Sequence, residues 1–212
     1  MEKNMQKLFG NIKMTWTKVI IFALVIGIYV GLIMDVNPLY QTSFQDIGIT
    51  HEWWTLFAII IVVNCNKNIE AALKCFVFFL ISQPVIFATE VIIGHLSQEL
   101  AINYLLIWAM PIILTLPGGF IAYYCKKENV FGDIVLGLGN SLEVLLGIYY
   151  TSQAIKNFPK HILTAIFCFF VFVVTNIYIK KTKKDRLISI LTTIIVVGAL
   201  IAYFIATHKT FL

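Results

Sequence analysis

The chain has 212 residues, of which 59% are hydrophobic and 13% are charged, and its mean hydropathy is +0.87. Soluble domains are about half apolar and about a quarter charged, so this composition excludes an ordinary soluble domain. The net charge of +5 would suit an acidic partner, but the chain offers no soluble basic face, and no nucleic acid partner is expected. The sequence therefore predicts an all-α integral membrane protein whose main partner is the lipid bilayer.

Apolar runs long enough to cross about 30 Å of hydrocarbon recur along the whole chain. They predict one transmembrane domain over residues 1–212, a polytopic bundle of seven transmembrane helices at residues 17–36, 53–65, 71–94, 102–125, 130–150, 161–179 and 187–207. The second of these helices is much shorter than the others, and its length is also typical of a re-entrant or interfacial segment. Whether it fully crosses as a regular helix stays open at this point.

The distribution of basic residues favours seven crossings and predicts their orientation. Seven crossings place the N-terminus in the cytoplasm and the C-terminus outside, with only Lys156, Lys160 and Lys209 of the 16 basic residues on the outer side. This agrees with the preference of basic residues for cytoplasmic loops. If the second helix did not cross, the basic clusters at 126–127 and 180–186 would lie outside. The lysine- and isoleucine-rich composition and the short loops suggest a bacterial plasma membrane.

Small and aromatic residues predict how the first two helices are placed. Gly27 and Gly31 in the first helix have the spacing of a close contact between two helices. Trp53 and Trp54 begin the second helix at the expected outer interface, where tryptophan commonly anchors a helix among the lipid headgroups. The four cysteines are predicted to be buried small residues without disulfide bonds.

The fifth helix carries the clearest ionisable residue inside the membrane, Glu143. Gly139, Asn140 and Gly147 lie three or four residues from it and therefore on neighbouring parts of one helix face. A charge at the centre of a membrane helix costs about 2.5–3.5 kcal/mol on insertion scales, so this side chain has to face protein, water or a ligand. We expect Glu143 and Asn140 to bind a solute, a cation or a proton. The alternative is a protonated Glu143 that is hydrogen-bonded between helices.

The third helix adds two further candidate residues. Gln83 lies next to Pro84 near the predicted middle of the membrane, and Glu90 lies toward the outer end. A proline inside a helix removes one backbone hydrogen bond and frees a carbonyl group. We expect Gln83 and Glu90 to belong to the substrate-binding set along a polar access path. The alternative is that the Pro84 kink only shapes the bundle.

The fourth helix contains Pro111 and Pro117, and Pro117 is followed by Gly118 and Gly119. Prolines and glycines are common causes of helix kinks. Broken helices at bilayer depth recur in transporters, where the unwound backbone coordinates substrates. The cytoplasmic half of this helix is therefore expected to be kinked or locally unwound.

Six acidic residues and all four histidines fall in the predicted outer half: Asp35, Asp46, Glu52, Glu90, Glu99, Glu143, His51, His95, His161 and His208. Such a surface attracts cationic solutes or responds to external pH, because histidine titrates at about pH 6.5. No two of the histidines are close in sequence, so no metal site is predicted. Asp133 lies at the cytoplasmic start of the fifth helix, where an acid complements the helix dipole.

Three classes of function remain. A membrane enzyme is the least favoured, because Ser141 beside Glu143 has no histidine or lysine at comparable depth to activate it, and no catalytic residue or cofactor is predicted. The favoured class is binding or transport of a small solute, with cations among the candidates, at a polar site around the fifth helix. The alternative is a membrane interaction, immunity or assembly factor without transport activity. A homo-oligomer or a membrane-protein partner also stays open.

Overall fold

The structure, a computed structural model, describes residues 2–34, 42–49, 51–158, 160–180 and 182–207, with the backbone alone at residues 2, 47–49, 51 and 52. Every regular element in these ranges is helical. The helices are α1 (Glu2–Leu8), α2 (Trp16–Ile33), α3 (Ser43–Ile49), α4 (His51–Val63), α5 (Asn68–Ile92), α6 (Gln98–Ala122), α7 (Val130–Lys156), α8 (Ile162–Ile179) and α9 (Lys183–Ala206). A 3₁₀ turn, Tyr123–Lys126, follows α6.

Six of the described helices are long and apolar enough to span a membrane, namely α2, α5, α6 with its 3₁₀ turn, α7, α8 and α9. This confirms the prediction of a helical, multi-pass membrane protein. Each of the seven predicted helices has a counterpart, but the counterpart of the second, α4, has only 13 residues and is shorter than the other six. The short helices α1 and α3 were not predicted.

Several of the long helices begin at a polar residue whose side chain accepts a hydrogen bond from the first turn. Thr15 does this for α2, Ser97 for α6, Asn129 for α7 and Thr182 for α9. These side chains pair backbone N–H groups that have no partner inside the helix. The apolar runs therefore start as helices at positions that local sequence chemistry specifies.

Helix α2 packs closely against α5 through its two glycines, which confirms the contact predicted from their spacing. A methyl group added at Gly27 would lie 2.8 Å from the Val85 Cβ, and one added at Gly31 would lie 2.7 Å from the Ile86 carbonyl oxygen. At the start of both helices, the Lys74 amine donates a hydrogen bond to the Met14 carbonyl oxygen. Contacts at both ends therefore show that α2 and α5 run in the same direction.

The chain between α2 and α5 consequently has to return, and α3 and α4 carry it back. At the end of α2, the Gln45 amide of α3 donates a 2.8 Å hydrogen bond to the Met34 carbonyl oxygen. Just past the end of α4, the Asn64 side chain donates to the Leu8 carbonyl oxygen and accepts from the Ile12 N–H, both at 2.8 Å. The segment therefore starts near the end of α2 and finishes near its beginning.

The remaining long helices form a second group in which α7 lies between α8 and α9. A methyl group added at Gly137 would lie 2.6 Å from the Ser189 carbonyl oxygen of α9, and one added at Gly147 would lie 2.9 Å from the Phe169 ring of α8. In the first group, α5 lies between α2 and α6. The short helix α4 contacts α5, α6, α7 and α8, so it joins the two groups.

Two local expectations differ from the structure. Helix α6 stays helical through Pro111, Pro117 and both following glycines, so of the predicted kink or local unwinding, the unwinding does not occur. Trp54 is buried, with 6% of its surface exposed, and packs against phenylalanine rings of α4 and α5, so it is not a headgroup anchor. Because α4 is short and packs between the two helix groups, this side chain lies in the core. The four cysteines are buried and free, as predicted.

Substitution of Gly27 by leucine should destabilise the bundle, because no space exists for a side chain between α2 and α5. Overpacking of this kind costs about 1–3 kcal/mol. The matched control is Gly198→Leu in α9, where no atom lies within 4 Å of an added methyl group. Thermal unfolding of the detergent-purified variants measures the effect. Equal unfolding temperatures for the two variants would contradict the close α2–α5 contact.

Candidate functional site

A cavity of about 340 Å³ lies among α4, α5, α6 and α7, and its lining runs from the middle of α6 to the following 3₁₀ turn and along the first half of α7. Its wall is formed mostly by apolar side chains, among them Ala58, Phe79, Ile112 and Leu136. The volume falls within the range of about 300–1,000 Å³ that is typical of small-molecule sites. The bundle therefore contains a space large enough for a ligand, and most of it lies nearer the C-terminal end of α6 than the predicted site.

The cavity opens at the side of the bundle, between α6 and α7. These two helices contact each other at few positions. Four lining residues are exposed, Pro111 and Gly118 on α6 and Gly139 and Leu142 on α7. A methyl group added at Gly118 or Gly139 would meet no atom within 4 Å, so no side chain obstructs the opening there.

Asn140 is the one residue of the predicted substrate-binding set that lines this cavity. Its side chain is 1% exposed, and its Oδ1 accepts a 2.9 Å hydrogen bond from the Thr175 hydroxyl of α8. Its Nδ2 is buried and has no hydrogen-bond partner in the described part of the chain. An unsatisfied buried donor costs about 1–3 kcal/mol. Because Nδ2 has almost no accessible surface, a ligand in the cavity would pair with it only after the amide moved to the cavity surface.

Glu143 lies one turn further along α7 and is completely buried. It lies on the same side of the helix as Asn140 and Gly147, which both contact α8. Glu143 is not among the residues that line the cavity. The structure therefore places the two predicted residues of the fifth helix side by side, but only the amide reaches the cavity wall.

Gln83 and Glu90 are each 3% exposed and lie on α5. This helix contributes Cys75 and Phe79 to the cavity wall, whereas Gln83 and Glu90 lie further along it and do not line the cavity. Helix α5 itself stays helical through Pro84. The four predicted residues are thus all buried, but they do not converge on this cavity.

The structure pairs two charged residues that the sequence analysis had treated separately. The Lys180 amine lies 2.7 Å from the Asp133 carboxylate, both side chains are 1% exposed, and Lys180 also donates a 2.8 Å hydrogen bond to the Lys127 carbonyl oxygen. The pair joins the start of α7 to the end of α8. The sequence contained one signal for this ion pair: Asp133 lies at the start of one predicted helix, and Lys180 lies at the end of the next helix, which runs antiparallel to it.

A second polar cluster lies at the opposite ends of these helices. The Asp46 carboxylate of α3 lies 2.8 Å from the His161 ring and accepts a hydrogen bond from the Thr164 hydroxyl. His161 has a left-handed backbone with a φ of 63°, directly before α8. The cluster fastens α3 to the first turn of α8. Of the predicted outer acidic and histidine residues, Asp35 and His208 and the side chains of His51 and Glu52 lie outside the described part.

Removal of one partner of the buried ion pair should be strongly destabilising. Asp133→Asn leaves the Lys180 amine buried without its counter-charge, which typically costs about 3–5 kcal/mol. The double variant Asp133→Asn, Lys180→Met should regain much of that free energy of unfolding, because no uncompensated charge remains. Denaturant unfolding in detergent measures both effects, with Glu99→Gln, which changes an exposed carboxylate, as the control. A single variant as stable as this control would show that the pair does not form.

Comparison with known proteins found no match, since no family model, no curated protein and no solved structure is similar to this chain.

Proposed function

We propose that this protein binds a small molecule in the cavity among α4, α5, α6 and α7, either for transport or as a membrane-embedded binding subunit. The observation that carries the proposal is Asn140, a buried amide in a mostly apolar wall, whose Nδ2 has no hydrogen-bond partner in the described residues. Native structures rarely leave such a group unpaired without a reason. A bound ligand supplies the missing partner.

The other predicted residues have supporting positions in this proposal. Glu143 lies next to Asn140 on the buried face of α7 and supports the position of that helix beside the cavity. Gln83 and Glu90 continue the face of α5 that carries Phe79, because positions four and eleven residues further along a helix return to the same side. They therefore lie beyond the cavity, toward the end of the bundle near Met34.

The proposal includes the membrane arrangement of the bundle. Helix α4 crosses the membrane in addition to the six long helices, because α2 and α5 run in the same direction and the chain returns between them. The end of the bundle that carries Lys13, Lys67, Lys126 and Lys127, called here the lysine-rich end, faces the cytoplasm of a plasma membrane. The N-terminus is then cytoplasmic and the C-terminus outside, and the cavity opens within the hydrocarbon.

Thiol labelling tests this orientation. Lys160→Cys, between α7 and α8, should react with a membrane-impermeant maleimide on intact cells, whereas Lys184→Cys at the start of α9 should react only after permeabilisation. The native cysteines give little background, because all four are buried. Burial also raises the pKa of the Cys65 thiol, in the connection between α4 and α5, to about 11. Labelling of Lys184→Cys on intact cells would contradict the proposed topology.

A thermal-shift screen of the purified protein against small molecules, at pH 5.5 and 7.5, tests the binding function. A ligand stabilises the folded state by about 2.7 kcal/mol at a hundredfold excess over its Kd. Gly139→Leu should abolish the thermal shift because its side chain fills the cavity, whereas Gly198→Leu, which does not line the cavity, should retain it. Both glycines have open space beside them, so neither substitution should disturb the packing. A screen without any compound that stabilises the wild type, or a hit that Gly139→Leu leaves unchanged, would contradict the proposal.

A further inference from the structure

The lining of the cavity restricts the class of ligand. Resting on the proposed binding function, we infer that the ligand is a neutral, largely apolar molecule of about two rings with one hydrogen-bond acceptor, and that it enters from the hydrocarbon between α6 and α7. The inference rests on the charge of the wall, on the free donor of Asn140, on the volume and on the position of the opening.

The wall favours a neutral ligand. No charged side chain lines the cavity within the described part of the chain, and Glu143 does not contribute to the wall. An ion that moved into this space would lose its hydration without gaining a counter-charge, which is strongly unfavourable. The cavity is therefore unsuited to the cation that the sequence left among the candidates.

The polar groups of the wall favour an acceptor on the ligand. The Thr175 hydroxyl donates a hydrogen bond to Asn140 Oδ1, so the group of this amide without a partner in the described residues is the Nδ2 donor. The Thr115 hydroxyl, also in the wall, already donates a 2.6 Å hydrogen bond to the Ile112 carbonyl oxygen. Nδ2 has almost no accessible surface, so the amide first has to move toward the cavity. A carbonyl, ether or hydroxyl oxygen on the ligand would then accept from it, which corresponds to about five- to tenfold in Kd.

The volume and the opening favour a compact molecule that comes from the bilayer. About 340 Å³ is roughly twice the cavity of about 150 Å³ that accommodates benzene. The opening lies beside Gly118 and Gly139, where no side chain obstructs it, and Leu142 beside it is 43% exposed. A molecule dissolved in the hydrocarbon reaches the site without crossing a polar surface.

Three probes with one two-ring skeleton test the inference on the full chain in lipid nanodiscs. Benzophenone carries a carbonyl acceptor, diphenylmethane replaces it with a methylene group, and protonated benzhydrylamine carries a cation. Benzophenone should stabilise the wild type at a Kd about five- to tenfold below that of diphenylmethane, and the amine should bind most weakly. Ultraviolet irradiation should attach benzophenone to the cavity segments of α4, α6 or α7.

The matched variants separate the polar contact from the apolar space. Asn140→Leu should remove the preference for benzophenone while diphenylmethane still binds. Each probe partitions into the lipid equally for both variants, so the ratio of its Kd values in the two variants is independent of that partition. Gly139→Leu should abolish binding of both neutral probes, and Gly198→Leu should leave it unchanged. If Asn140→Leu does not fold, the wild-type preference and the site of photoattachment decide.

Each outcome distinguishes the inference from the proposed function. Tightest binding of the cation, equal Kd values for the two neutral probes, or a screen that finds only polar ligands would overturn the inference and leave a binding protein. Bilayer phospholipid that co-purifies with the wild type, is lost in Gly139→Leu and excludes all three probes would likewise overturn it. A screen without any hit would remove the proposed function itself.

Discussion

A helix of 13 residues spans about 20 Å, which is less than the about 30 Å of a hydrocarbon core, so the backbone groups at the ends of α4 need partners from other segments. At its C-terminal end and just past it, Lys126 donates to the Val63 and Cys65 carbonyl oxygens, and Tyr123 donates a 2.6 Å hydrogen bond to the Asn66 carbonyl oxygen. Asn64 connects the same turn to the segment after α1. The connections at the lysine-rich end are built around the end of this one helix.

The same short helix accounts for the candidate site. Because α4 contacts both helix groups, it holds α5 and α6 on one side and α7 and α8 on the other. Helices α6 and α7 consequently meet at few positions, and the space between them is the cavity. A longer helix with bulky residues on every side would fill this space. The cavity follows from how these helices pack, and Asn140 is a buried amide in its wall.

The long helices could be predicted from the sequence because each is a continuous apolar run. A close contact of α2 could be predicted from the spacing of Gly27 and Gly31, but not that its partner is α5. Burial of Glu143 and Asn140 also followed from their position in such a run. The partners of buried polar groups could not be predicted, since Thr175 and Asn140, like Lys180 and Asp133, meet only after distant segments pack. Nor could the cavity, which depends on the distance between two helices.

For a ligand of the proposed site, the sideways opening changes which concentration determines occupancy. Its exposed border residues, among them Gly118 and Gly139, face the flank of the bundle and not an aqueous end. Occupancy of such a site follows the mole fraction of a compound in the lipid, so the same aqueous dose gives different occupancy in membranes of different composition or in different amounts of membrane. Apparent affinities can then be compared only between measurements made at the same lipid-to-protein ratio.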